Sequence, residues 1–190
     1  MKIDPKLNLV IPVDRPDGTL YVHSMPISRE VFERYFLVIG KAFAAIYGEG
    51  LGMVAGPPLA AMLLKQKAKD LGVWEGEAGV ERGLFAEMRR LSNVIANGPN
   101  GWAVIPFQEA LDNGTFSEDE VSEVESAIAF FTVASLMHKR SELPAVLNGA
   151  SALWGARSES LNCTEFAASL RTSTATASSG AMPTTSFPLS

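Results

Sequence analysis

Three glycines in one short segment are arranged in a way that could bind a phosphate group. Gly50, Gly52 and Gly56 lie in the segment GLGMVAG. A dinucleotide-binding glycine loop follows a strand, precedes a helix, and has an acidic residue about 20 positions later. The residues before Gly50 have the apolar spacing of a helix, so the required strand is missing. The sequence therefore favours a flexible connection between two helices over a nucleotide site.

A second segment resembles the last part of a calcium-binding EF-hand loop. Gly114 and Glu120 stand at the positions that such a loop gives to its glycine and its final glutamate. The third position of the loop would be Leu111, whose side chain has no oxygen with which to bind calcium. A turn followed by the capped start of a helix is the better interpretation.

The histidines and the single cysteine form no recognisable catalytic or metal-binding pattern. His23 and His138 have no Cys or His at metal-ligand spacing. Cys163 lies in a polar segment without an activating context, and there is no G-x-S-x-G motif. We therefore expect no catalytic residues, no cofactor and no metal, and a protein that is not an enzyme.

Composition limits the possible partners and compartment. The chain has 190 residues, of which 47% are hydrophobic, so a packed core is expected. A net charge of -5 argues against nucleic acid as a partner, because phosphate binding needs a concentrated positive surface. No apolar run approaches the roughly 20 residues of a membrane span, and no signal peptide is visible. We expect a cytosolic protein without membrane association.

The segment from Ser117 to Arg140 is the most consistent secondary-structure element. Ser117 and Glu120 have the spacing of a capping box, and acidic residues crowd the first turns while basic residues close the last. From Ala127 onward the helix is apolar nearly all round. Such a helix is expected to be buried on more than one side.

The remaining pattern predicts a mainly α fold with one β-hairpin. Alternating apolar residues on either side of a Pro-Asp-Gly turn predict the hairpin over about residues 7–25. A short extended piece is expected at 102–105. Helices are expected over 29–47, 57–71, 80–96, 106–114, 117–140 and 141–154. Residues 1–155 are accordingly interpreted as a helical domain with an N-terminal hairpin.

The composition changes at residue 156. Residues 156–190 are rich in Ser and Thr, with a short helix expected over 165–170. The last twenty residues hold too little apolar surface to offset the entropy lost on ordering. We predict a flexible C-terminal arm that is disordered when the protein is free.

Three segments taken together resemble the tail assembly chaperones of long-tailed bacteriophages. They are the hairpin opening at 7–36, the capped helix at 117–139 and the C-terminal segment at 153–180. The resemblance lies in the layout of a helical domain followed by a Ser/Thr-rich arm. It implies a factor in the host cell cytoplasm that coats the apolar tape-measure protein and helps recruit tail-tube subunits. The expected partners are these two phage proteins and further copies of the chain, as a homo-oligomer.

A chaperone for an apolar helix needs exposed apolar side chains, which aromatic stripes at helical spacing can supply. The alternative interpretation is that these stripes form the core of the protein itself. The candidate partner-binding residues are Phe32, Phe36, Phe43, Phe130, Phe131, Met137 and Phe166.

Two other function classes remain open from the sequence. The protein could be a structural virion component, such as a tail-completion or connector subunit whose hairpin pairs with that of a neighbour. An enzyme with an unrecognised site would instead require a pocket with converging polar groups.

Overall fold

The structure, a computed structural model, describes residues 7–48, 52–99, 101–138, 142, 145 and 155–178. Within these ranges five antiparallel strands form one sheet. The strands are β1 (Asn8–Arg15), β2 (Gly18–Ser24), β3 (Ser92–Gly98), β4 (Gly101–Pro106) and β5 (Arg157–Glu159). Their order across the sheet is β4-β3-β2-β1-β5.

Helices cover both faces of this sheet. The main core lies between one face and the helices α1, α2 and α5, and a second apolar cluster joins the opposite face to α6. A π-helical turn at Glu81–Phe85 leads directly into α3. The helices are α1 (Arg29–Gly48), α2 (Gly52–Asp70), α3 (Ala86–Arg90), α4 (Phe107–Asp112), α5 (Glu118–Met137) and α6 (Cys163–Ser178).

The expectation of a mainly α fold is wrong, because the described chain combines helices with a five-stranded antiparallel sheet. The largest error concerns 80–96, which was expected to be one helix. Helical structure ends at Arg90, and β3 begins at Ser92. β3 is an inner strand with both faces covered, so Val94 and Ile95 are both fully buried although they point to opposite sides. A strand buried on both faces loses the polar–apolar alternation that identifies strands in a sequence.

The predicted N-terminal hairpin is confirmed. β1 and β2 pair from Leu9 opposite Ser24 to Arg15 opposite Gly18. Gly18 has a φ of 133°, a conformation that side chains rarely adopt and that the turn requires. β3 pairs with the other edge of β2, and β5 pairs with β1 over residues 8–10. The hairpin therefore forms the centre of the sheet.

The predicted capping box of α5 is also confirmed. The Ser117 hydroxyl accepts a hydrogen bond from the Glu120 backbone at 3.3 Å, and the Glu120 carboxylate accepts one from the Ser117 backbone at 2.8 Å. Every residue from Ala127 to Ala134 is buried. α5 contacts α1, α2 and β1, so the expectation that this helix is buried on more than one side holds.

The beginning of the expected C-terminal arm forms β5 and α6 in the structure. Phe166 is fully buried against Tyr21, Val10 and Ile95, on the face of the sheet that α6 covers. The short helix expected over 165–170 lies within α6. Residues 179–190, and most of the helix expected over 141–154, lie outside the described residues. The disorder expected for the free arm stays a prediction.

Candidate functional site

The structure places most of the seven candidate partner-binding residues in the protein's own core. Phe43 and Met137 are half-buried, and Phe43 packs on Tyr47 and His138 where α1 and α5 end. Phe36 is 53% exposed. The buried members of the set are Phe32, Phe130, Phe131 and Phe166.

A solvent-accessible cleft of about 460 Å³ lies between α2, the π-helical turn and α5. It is lined by side chains that belong to three separate parts of the chain. We call this the α2–α5 cleft. Its lining residues are Pro58, Leu59, Ala61, Met62, Lys65, Trp74, Glu81, Phe85, Arg89, Ser122, Glu125 and Ser126.

Apolar side chains form one wall of the α2–α5 cleft. Trp74 and Phe85 meet edge to face with ring centroids 5.5 Å apart. The ammonium group of Lys65 lies 5.3 Å from the centroid of the Trp74 ring, a cation–π distance. Met62 is 58% exposed, although methionine side chains are usually buried. Met62 therefore gives this wall apolar surface that the described residues leave exposed.

A partly buried ion pair also lines the cleft. Arg89 Nε donates a hydrogen bond to Glu125 Oε1 at 2.7 Å, and Arg89 Nη2 lies 2.6 Å from the same oxygen, so the ion pair ties α3 to α5. Glu81 adds a second carboxylate to the rim, and the Ser122 and Ser126 side chains also line the cleft. Neither serine is hydrogen-bonded to a histidine in the part of the chain described. The arrangement can position the polar side of a ligand.

Two glycines allow close packing around the π-helical turn beside the cleft. The Phe85 amide donates to the Val80 carbonyl at 2.9 Å, which is the wider hydrogen bond of a π turn. A Cβ on Gly79 would lie 2.5 Å from the Trp74 carbonyl oxygen, closer than real contacts allow. A Cβ on Gly83 would overlap the Tyr35 hydroxyl. Turns of this kind often occur at functional sites, and this one carries Glu81 and Phe85 into the cleft.

A buried polar pair holds the C-terminal segment on the other side of the sheet. His23 Nε2 and Asn8 Nδ2 lie 3.0 and 2.9 Å from the Leu161 carbonyl oxygen, just before α6. His23 lies in β2, within the predicted hairpin, and is fully buried. His23 Nδ1 and Asn8 Oδ1 have no hydrogen-bond partner among the described residues. We interpret these contacts as an anchor for α6.

Two structural findings bear on the motifs in the sequence. Gly52 and Gly56 lie in α2, which follows α1 rather than a strand, so the nucleotide-loop context is absent there. Across the described ranges no cluster of three or more His, Cys, Asp or Glu side chains could hold a metal ion. None of the helices described has both the length and the apolar character that crossing a bilayer requires.

Comparison with models of protein families, with characterised proteins and with solved structures gave no significant match to this chain. The resemblance to phage tail assembly chaperones therefore stays a prediction from the sequence.

Proposed function

We propose that this protein is a non-catalytic assembly factor that receives an apolar helical segment of another protein in the α2–α5 cleft. The observation that carries the proposal is the exposed Met62 beside Trp74 and Phe85, at a concave surface with a charged rim. Helix-in-groove recognition uses such a surface, because apolar anchors supply binding energy and polar rims set the orientation.

The two helical walls of the cleft match the periodicity of a helical ligand. Pro58, Met62 and Lys65 succeed one another at four- and three-residue spacing along α2, and Ser122 and Ser126 do so along α5. The volume of about 460 Å³ suits a few large side chains rather than a whole helix. A bound helix therefore inserts its anchors and remains solvated on its polar face.

The charges of the rim favour a protein ligand over a nucleic acid. Lys65 and Arg89 are balanced by Glu81 and Glu125 around the same opening. A polyanion gains little from such a mixed rim, since phosphate binding requires an excess of positive charge. An amphipathic helix with both signs of charge is the better fit.

The family resemblance supplies a specific partner for this proposal. In that setting the ligand is the tape-measure protein of a long-tailed phage, tail-tube subunits are recruited afterwards, and the work takes place in the host cell cytoplasm. The resemblance and the cleft are independent grounds, since the first rests on the layout of the sequence and the second on exposed side chains.

The experiment is co-expression with the tape-measure protein from the same phage genome. We expect the wild-type protein to raise the soluble fraction of the tape-measure protein, and Met62→Asp to abolish this effect by placing a charge on the apolar wall. Val104→Asp is the matched control, because Val104 is 42% exposed on β4, away from the cleft. Unchanged tape-measure solubility with the wild-type protein contradicts the proposal.

The second candidate, a structural virion component, is favoured by the free edge of β4. β4 pairs with β3 on one side and has no strand on its other side among the described residues. An exposed edge can accept a strand of a neighbouring subunit. The central hairpin is a poorer candidate for such pairing because β2 already has a neighbour on each side. Mass spectrometry of purified virions beside infected-cell lysate separates the two functions, since only a structural subunit is stoichiometric in the virion.

A further inference from the structure

The outer face of α1 carries apolar surface that the described chain leaves open to solvent. Leu37 is 60% exposed and Phe36 is 53% exposed, in the middle of a helix whose other side forms the core. Gly40 is half-exposed, with nothing within 4 Å of a Cβ built on it, and Ala44 is exposed one turn later. This surface shares no residue with the α2–α5 cleft.

The charges on this face are arranged symmetrically about Leu37. Glu33 lies four residues before Leu37, and Lys41 lies four residues after it. Residues at four-residue spacing lie on the same side of a helix. Suppose that α1 of a second copy packs antiparallel to α1 of the first, with a twofold axis at Leu37. Lys41 of each copy then lies opposite Glu33 of the other.

The sizes of the side chains follow the same symmetry. Arg34 and Gly40 each lie three residues from Leu37, so the long side chain of one copy faces the glycine of the other. Glu30 and Ala44 each lie seven residues away, which again sets a long side chain against a short one. Arg34 and Glu30 form an ion pair at 3.3 Å within one copy. This ion pair can pack over Gly40 and Ala44 of the other copy.

This arrangement would give Lys41 an ion-pair partner. Within the part of the chain described it makes no ion pair, whereas Glu33 is joined to Arg29 at 2.7 Å on the exposed side of α1. We propose that α1 packs antiparallel against α1 of a second copy, with Leu37 on the twofold axis and Glu33 facing Lys41 across the interface. One helix face per copy buries little area, so the dimer is weak and depends on concentration.

Sedimentation velocity over a wide concentration range tests this proposal without reference to the cleft. We expect a monomer–dimer equilibrium for the wild-type protein and, for Leu37→Glu, a dissociation constant raised about tenfold or more by two like charges on the axis. Met62→Glu is the control, because Met62 is equally exposed on α2 and should leave the dimer intact. A monomeric wild-type protein, or a dimer that survives Leu37→Glu, overturns the proposal.

Charge exchange tests the register. Lys41→Glu and Glu33→Lys each place like charges opposite one another and should weaken the dimer by about two- to tenfold. The double variant restores opposite charges and should return the dissociation constant toward the wild-type value. Circular dichroism confirms that each variant is folded. If the double variant is no tighter than the single ones, the proposed register is wrong.

Discussion

The Tyr35 hydroxyl occupies the space that a side chain at position 83 would need. This hydroxyl donates a hydrogen bond to the Ala78 carbonyl at 3.2 Å and lies above the backbone of Gly83. At this contact α1 contributes the Tyr35 ring, and the π-helical turn contributes the backbone of Gly83. This contact fixes the position of the turn that carries Glu81 and Phe85 into the α2–α5 cleft.

Gly83→Ala is therefore expected to destabilise the fold. The added methyl group overlaps the Tyr35 hydroxyl, and overpacking of this kind costs about 1–3 kcal/mol in the free energy of unfolding. Urea denaturation followed by circular dichroism measures the loss.

Tyr35→Phe provides the matching test of mechanism. Alone it removes one hydrogen bond, at a cost of about 1 kcal/mol. Combined with Gly83→Ala it removes the overlapping oxygen, although the ring carbon that carried it still lies 2.5 Å from the new Cβ. The double variant should thus lose less stability than the sum of the two single losses. Additive losses would show that the two residues do not interact.

The ion pair between Arg15 and Glu120 predicts sensitivity to acid. The Arg15 guanidinium donates to both carboxylate oxygens of Glu120, at 2.9 and 2.8 Å, and joins the end of β1 to the start of α5. These hydrogen bonds, assisted by that from the Ser117 backbone, hold the pKa of Glu120 below its ordinary value despite partial burial. A carboxyl whose pKa is lowered by folding stabilises the fold above its unfolded-state pKa. This stability is lost as the pH falls through the lower folded-state value.

We therefore expect the wild-type protein to lose stability as the pH falls below about 4.3, the ordinary pKa of a glutamate side chain. Glu120→Gln should lose less stability over the same fall in pH. The measurement is the urea midpoint at neutral and at acidic pH. Glu118→Gln is the control, since Glu118 lies exposed in the same first turn of α5. Equal acid sensitivity of Glu120→Gln and the wild-type protein would contradict the role given to Arg15.

Phe166 is expected to hold α6 on the sheet. Its ring is fully buried, 5.5 Å from the Tyr21 ring and 5.2 Å from the Arg157 guanidinium. Burial beside it raises the pKa of the Cys163 thiol to about 11, so little reactive thiolate exists at neutral pH. Phe166→Ala should release α6 and speed the labelling of Cys163 by about tenfold or more, as the thiol regains its ordinary pKa.

Phe36→Ala is the control for the thiol experiment, because it removes an equally large ring from an exposed site on α1. It should leave the labelling rate unchanged. Hydrogen exchange adds a second reading, since release of α6 should also expose amides of β5 and of β1 over residues 8–10. Unchanged labelling in Phe166→Ala would show that α6 does not depend on this ring.

Local signals in the sequence were sufficient for some elements of the fold. The Pro-Asp-Gly turn predicted the hairpin, and the spacing of Ser117 and Glu120 predicted the start of α5, because both depend on contacts within a few residues. β5 was missed because it consists of three residues that pair with β1 about 150 positions away. Such pairing depends on the chain's overall topology, which periodicity does not encode.

The candidate site was harder to predict than the fold. Aromatic stripes identified Phe130 and Phe131, but the structure buries both, since apolar spacing marks a core face and an exposed face alike. Met62 and Trp74 carried no pattern of their own, and the cleft that they line forms only after α2, the π-helical turn and α5 have packed. Gly83 is one usable signal of the π-helical turn, because it interrupts the segment 80–96 that was expected to be helical.

We propose that the α2–α5 cleft binds an apolar helix of the tape-measure protein. Site-specific photo-crosslinking tests this binding most directly. A photoreactive phenylalanine analogue is placed at position 62 and, in separate variants, at positions 36 and 104, which are also exposed. Each variant is co-expressed with the tape-measure protein and irradiated in the cell. A crosslink to the tape-measure protein from position 62 alone is the predicted result. A crosslink from position 36 or 104 without one from position 62 would contradict the claim, as would no crosslink from any of the three.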